Sequence, residues 1–87
     1  MAESPLRLTL LSRSYCHLCH EMLAAIETLK AEFEFVVDVV EVDDDATLEA
    51  RYGDEVPVLL HWERELARHR LDPGNLRLYL AQGAVEI

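Results

Sequence analysis

Cys16 and Cys19 are the only cysteines in this 87-residue chain, and they stand three positions apart. They follow an apolar run, Leu8-Thr9-Leu10-Leu11, and a polar loop, Ser12-Arg13-Ser14-Tyr15. A helix that opens at the first cysteine places positions i and i+3 on one face, close enough to bridge. Its unpaired N–H groups and the positive end of its dipole then favour a thiolate at Cys16. Arg13, in the loop just before, adds a fixed positive charge nearby. An anion-stabilising site with a second sulfur in reach is what thiol–disulfide exchange requires.

Other chemistries fit these residues less well. Cys16-His17-Leu18-Cys19-His20 matches the C-x-x-C-H pattern of covalent haem attachment, but the strands on either side leave little room for a haem-enclosing helical fold. Structural zinc takes four ligands, typically as two spaced pairs. Here there is one cysteine pair, and His61 and His69 are not spaced as a second, so no metal is expected. His17 has two readings that stay open. It either donates to the Cys16 thiolate, lowering its pKa and making the couple more oxidising, or it faces solvent in a first helical turn. His61 and His69 read as surface residues.

The elements that must position the cysteines follow from periodicity. Leu6, Leu8 and Leu10 alternate with polar neighbours before Leu11, giving a strand that becomes fully buried at its end. From Cys16 the period turns helical to about Ala31, with Leu18, Met22, Ala25, Ile26 and Leu29 on one stripe and Cys19 and Leu23 at its edge. Residues 35–42 are β-branched and apolar on both faces and read as an interior strand. Asp43, Asp44 and Asp45 suit a helix N-terminus as cap and first-turn residues. Leu48 and Tyr52 share that helix's buried face, and Gly53 is expected as the C′ glycine that ends it.

In Asp54-Glu55-Val56-Pro57-Val58-Leu59-Leu60 a proline stands at the entry of an apolar strand, as a residue that cannot donate to a ladder must, and it is a candidate for a cis bond. Residues 65–69 read as a short edge strand, joined to the preceding strand by a turn over His61 to Arg64. Asp72 caps a last helix with Pro73 in its first position and Leu76, Leu80 and Tyr79 on its buried stripe; Gly83 is expected to end it before a short tail. The order β-α-β-α-β-β-α makes one α/β domain over residues 1–87. The β-α-β unit supplies parallel strands, the last two strands an antiparallel hairpin, and helices cover both faces of a four-stranded mixed sheet. That is the thioredoxin-like architecture in its minimal, glutaredoxin-sized form.

The formal net charge is −9, which argues against nucleic acid and anionic membrane as partners. It is concentrated in residues 31–63, where eleven acidic side chains face one basic one. The plain reading is a solvated face that aids solubility; the sharper one is a docking surface for a basic partner. No apolar run is long enough to span a membrane, and the N-terminal residues lack the basic and apolar segments of a signal peptide. A single cysteine pair without an export signal points to the cytoplasm, where a disulfide is more often catalytic than structural.

Ser12-Arg13-Ser14-Tyr15-Cys16-His17-Leu18-Cys19 resembles the glutaredoxin active-site segment, in which a strand leads through a Ser-Lys-type loop and an aromatic residue to C-P-Y-C. Glu55-Val56-Pro57 resembles the Thr-Val-Pro of the cis-proline loop, and the likeness extends from Leu6 to Gln82, most closely to small glutaredoxin-like proteins of bacteria. The resemblance implies a monomeric oxidoreductase acting on protein or low-molecular-weight disulfides. No resident cofactor is implied, and glutathione is a possible co-substrate.

Position by position, Cys16 would be the nucleophile and Cys19 the resolving thiol. Arg13 would meet a glutathione carboxylate, with Tyr15 beside it. Val56 would offer its backbone to the cysteinyl part of a bound thiol peptide, Pro57 would shape that loop, and Asp72 would read the γ-glutamyl end. His17 stands where the family has proline, Leu18 where it has an aromatic residue, and His69-Arg70 where it has Gly-Gly. A shared iron–sulfur cluster is permitted by the resemblance and not indicated by the residues. The competing class is a non-catalytic thioredoxin-fold adaptor that binds a protein through its acidic surface or Trp62.

Overall fold

The computed structural model describes residues 6–82. Strand β1 (Leu6–Ser12) leads through the polar loop into helix α1 (His17–Thr28), which tightens into a 3₁₀ turn at Leu29–Ala31. Strand β2 (Phe35–Glu41), a 3₁₀ turn (Val42–Asp44) and helix α2 (Ala46–Tyr52) follow, then strands β3 (Val58–His61) and β4 (Arg64–Arg68) and helix α3 (Pro73–Ala81). The four strands form one sheet in the order β2-β1-β3-β4. β1 and β2 pair in parallel, Leu6 opposite Phe35 through Ser12 opposite Glu41, and the other pairings are antiparallel. The expected α/β, thioredoxin-like architecture is what the chain adopts.

The alternation along β1 decides which helix goes where. Leu8 and Leu10 point to one face, where Met22, Ile26 and Leu29 of the first helical segment and Leu76 and Leu80 of α3 join Leu59 in the main core. Leu11 points to the other face and packs with Val42 and Val58 under Leu48 and Tyr52 of α2. Helices therefore cover both faces. Burying each of these leucines contributes about 1.5–3 kcal/mol, and β1, buried on both faces where it ends, is the anchor of the loop that follows.

Four local expectations are corrected. β2 is an edge strand: it pairs with β1 alone, and Val39 is 51% exposed. Its apolar run reflects packing under helices along part of its length, which a sequence pattern does not separate from having a strand on each side. In α1 the buried stripe is Cys19, Met22, Ile26 and Leu29, with Leu18 and Ala25 only half-buried. Cys19 lies at the edge of the stripe, as expected, and is nonetheless fully buried there.

His61 is not a turn residue on the surface. It is the last residue of β3, on the same side as Leu59, 9% exposed, with Nδ1 2.5 Å from the Tyr79 hydroxyl of α3. The hairpin turn shrinks to Trp62 and Glu63, between the paired His61 and Arg64. Trp62 takes a φ of 59°, a left-handed conformation usually left to glycine or asparagine, so the turn carries no sequence signal. Its ring is 83% exposed.

The fourth correction concerns Gly53. It ends α2 with an ordinary right-handed φ of −52°, so it is not a left-handed C′ residue. Space is what requires it: an added Cβ would stand 2.5 Å from the Glu49 carbonyl oxygen and 2.9 Å from Arg13 Nη2. The Asp triplet divides its work. Asp45 caps α2, Oδ1 accepting the N–H groups of Thr47 and Leu48 at 2.9 and 3.1 Å, while Asp43 and Asp44 belong to the preceding 3₁₀ turn. Asp72 caps α3 in the same manner. The expected stop at Gly83 and the tail after it lie outside the described residues.

Candidate active site

Cys16 is the N-cap of α1. Its backbone is extended, at φ −106° and ψ 109°, and its Sγ accepts the Cys19 N–H at 3.0 Å. The sulfur thus takes the place that a serine or aspartate oxygen holds at most helix starts. Its own N–H donates to the Arg13 carbonyl at 3.2 Å, closing the turn that delivers it, and its carbonyl accepts the first helical bond from His20. Cys16 and Cys19 are joined as a disulfide with Cα atoms 5.1 Å apart, inside the ordinary range. The two sulfurs differ in access: Cys16 is half-buried at the surface, whereas Cys19 is 1% exposed in the core stripe. When the pair is reduced, the Cys19 N–H remains a preorganised donor to a Cys16 thiolate.

The loop before Cys16 is held by carboxylates. Arg13 donates from Nε to Asp43 at 3.1 Å and from Nη2 to Glu49 at 2.6 Å. Ser14 gives its backbone N–H and its hydroxyl to the two oxygens of Glu41, at 3.2 and 3.1 Å. Gly53 leaves the room that the Arg13–Glu49 pair occupies. Part of the acidic run is therefore a clamp on the loop, a role that sequence reasoning missed. A signal for it existed. Parallel pairing of β1 and β2 brings the residues after each strand to the same end of the sheet, so loop 13–15 had to meet Glu41 and Asp43.

Across from the disulfide, the Val56–Pro57 peptide bond is cis. Pro57 is buried, and its carbonyl accepts the His69 N–H at 2.8 Å, which ties the loop to the end of β4. The backbone N–H and C=O of half-buried Val56 have no hydrogen-bond partner among the described residues. Arg13, Tyr15, Cys16, Asp43 and Val56 line one open groove of about 540 Å³. A smaller cavity of about 180 Å³ lies between α1 and the segment before α3, with Leu18, Met22 and Leu71 as its apolar wall and Glu21, His69 and Arg70 as its polar one.

The structure thus brings Arg13, Tyr15, Cys16 and Val56 together, with Cys19 bonded behind Cys16 and Pro57 next to Val56 across a cis bond. It leaves Asp72 out of the walls of both cavities, with Oδ1 occupied by the α3 cap. Tyr15 is fully exposed. His17 is exposed as well, its Nε2 2.7 Å from Glu21, and no hydrogen bond joins it to Cys16 among the described residues. His69, at φ 67°, and Arg70 make the tight turn where the glutaredoxin pattern has two glycines; His69 reaches Glu55, 3.3 Å away, which also accepts Arg68. No helix among the described residues is long and apolar enough to cross a membrane. No group of three or more potential metal ligands occurs among them either.

Comparison with known proteins places this geometry. Residues 7–81 match the family model described as Glutaredoxin-like domain (DUF836). Protein Ne2328 from Nitrosomonas europaea is similar at 32% identity and a TM-score of 0.75, over 91% of this chain and 95% of that one. Target protein XcR50 from X. campestris is similar at 38% identity and a TM-score of 0.69, over 86% of this chain and 96% of that one. Thioredoxin 1 from Thermosipho africanus, at 20% identity and a TM-score of 0.59 over 91% of this chain and 99% of that one, shares the fold. No curated protein matches. On the family match and these two relatives, the chain belongs to the glutaredoxin-like family of thioredoxin-fold proteins.

Proposed function

We propose that this protein is a thiol–disulfide oxidoreductase whose Cys16–Cys19 couple exchanges electrons with disulfides docked against Val56 and Pro57. The observation that carries the reading is the asymmetry of the couple. The accessible sulfur sits at a helix N-cap under a donated N–H, and the buried one waits behind it in bonding distance.

In the reducing direction the Cys16 thiolate attacks one sulfur of a substrate R–S–S–R′. A Cys16–S–S–R bond forms, the substrate bond breaks, and R′S⁻ leaves to take a proton. The Cys19 thiolate then attacks Cys16 Sγ, closing the protein disulfide and releasing RS⁻, which is protonated in turn. Two electrons and two protons have passed from the protein dithiol to the substrate. An external thiol, of which glutathione is the one the family resemblance implies, returns the couple to the dithiol by the reverse exchange. The N–H and C=O of Val56, unpartnered among the described residues, supply a short β-like pairing for the chain that carries the attacked sulfur. A reducing compartment such as the cytoplasm is where such a couple cycles.

The test is a pair of substitutions. Cys16→Ser is expected to abolish exchange, and Cys19→Ser to accumulate a Cys16 mixed disulfide visible by intact mass. Exchange that survives Cys16→Ser overturns the nucleophile assignment. Thiols that neither exchange nor alkylate faster than an ordinary cysteine leave the adaptor reading, in which Trp62 is the exposed docking aromatic.

A further inference from the structure

The groove beside Cys16 carries a charge that the resemblance does not anticipate. Arg13 is the cation lining it, and both of its engaged donors already belong to carboxylates, Asp43 and Glu49. Glu41 is bound to the next residue, Ser14. Asp43 shares the wall with Arg13, while Glu49 and Glu41 stand off it, bound to Arg13 and to Ser14, so three carboxylates are held one hydrogen bond from the loop against one cation. The basic residue of the 31–63 stretch, Arg51, lies over the Tyr52 ring at 5.1 Å and does not join them. At the cis-proline side Glu55 is shared by Arg68 and His69, and Arg68 also holds Glu65. Arg70 faces the separate cavity behind α1, opposite Glu21.

We infer that the active-site groove selects disulfides flanked by cationic residues and disfavours anionic ones, glutathione disulfide included. The inference rests on the oxidoreductase reading and names its substrate class. An anionic carboxylate approaching Arg13 shares its guanidinium with Asp43 and Glu49 and sits beside both carboxylates. A lysine or arginine beside the substrate cysteine meets carboxylates that outnumber the one cation they share. Clefts lined by one sign of charge raise the encounter rate of the opposite sign by tenfold or more at low salt, and the effect fades as salt screens it. The chemistry is unchanged: each substrate disulfide takes two electrons and two protons from one protein dithiol, yielding two thiols and the Cys16–Cys19 disulfide.

The experiment mixes fully reduced protein with symmetrical disulfide dimers of Lys-Cys-Lys, Ser-Cys-Ser and Glu-Cys-Glu peptides, and with glutathione disulfide. Single-turnover oxidation of the protein is followed by acid quench and intact mass. Each rate is divided by that of the same disulfide with dithiothreitol, a neutral dithiol, which removes the peptide's own reactivity. The normalised rate with the lysine peptide is expected to exceed that with the glutamate peptide by roughly tenfold in 20 mM salt and to approach it at 500 mM.

The double variant Asp43→Asn/Glu49→Gln, which frees Arg13, is expected to shrink the ratio severalfold, and Arg13→Gln to widen it. A ratio taken within one variant is insensitive to a general loss of activity. Reaction of the serine peptide with a flat or inverted ratio overturns the charge selection and leaves the oxidoreductase reading standing. No reaction with any of the four disulfides overturns both.

Discussion

Replacing Gly53 with alanine sets two effects of opposite sign against each other, and the structure decides between them. Gly53 has φ −52° and ψ −38°, which alanine adopts without strain. On backbone grounds alone, Gly53→Ala would stabilise by about 0.4–1 kcal/mol through a less flexible unfolded chain. The new Cβ, however, would stand 2.5 Å from the Glu49 carbonyl oxygen and 2.9 Å from both Arg13 Nη2 and Glu49 Oε2. The two side-chain ends can swing aside. The carbonyl can retreat only by opening the 2.8 Å bond that it accepts from the Gly53 N–H, which closes α2.

Overpacking of this kind costs about 1–3 kcal/mol. The partly exposed Arg13–Glu49 pair adds at most about 1 kcal/mol. The expected balance is a loss of about 1–2 kcal/mol, read as a lower urea midpoint at unchanged m-value by far-ultraviolet circular dichroism of the oxidised protein. Adding Arg13→Ala removes one clashing group and leaves the carbonyl, so the penalty of Gly53→Ala should shrink in that background without vanishing. If Gly53→Ala is as stable as the parent or more so, the close-packing account of this corner, and with it the fixed Arg13–Glu49 clamp, is refuted.

Two further outcomes follow from the same geometry. Tyr79→Phe keeps the ring that Arg64 covers at 5.4 Å but strips buried His61 of its hydroxyl partner, and is expected to cost about 1–2 kcal/mol in urea unfolding; a neutral result removes the His61–Tyr79 bond from the stabilising set. The Arg68 hydrogen bond holds the Glu65 carboxyl below its ordinary value. Its folded pKa is lower than its unfolded one, so the stability it contributes is present at neutral pH and lost as pH falls below about 4. Glu65→Gln should therefore melt slightly lower than the parent at pH 7, by a gap that narrows as pH falls below about 4; a gap that widens toward acid contradicts the pairing.

The fold was legible because its main signals are local. A buried alternating strand, a cysteine-opened helix and proline-marked starts at Pro57 and Pro73 are each written within a few residues. The site was legible in its chemistry: Cys16, Cys19 and Pro57 stand out by residue type and spacing, and Val56 through the glutaredoxin resemblance. What stayed hidden depends on contacts between distant segments. That Glu49 would hold Arg13 follows from how α2 packs beside the end of β1. Burial of His61 depends on Tyr79, eighteen residues later, reaching back from α3. Trp62 in a left-handed turn breaks the usual glycine or asparagine rule, so nothing local announced that β3 and β4 extend to within two residues of each other.

In the proposed function Cys16 and Cys19 form a reversible redox couple with Cys16 as its outward-facing member. The most direct measurement is an equilibrium titration of the protein in glutathione buffers of graded potential, quenched with acid and read by intact mass, with Cys19→Ser in parallel. The expected result is two-electron interconversion of dithiol and disulfide with a midpoint in the glutaredoxin range of roughly −200 to −230 mV, and a glutathione adduct on Cys16 in the Cys19→Ser protein. A dithiol that stays reduced across the whole series, or an adduct that maps to Cys19 in the parent protein, would contradict it.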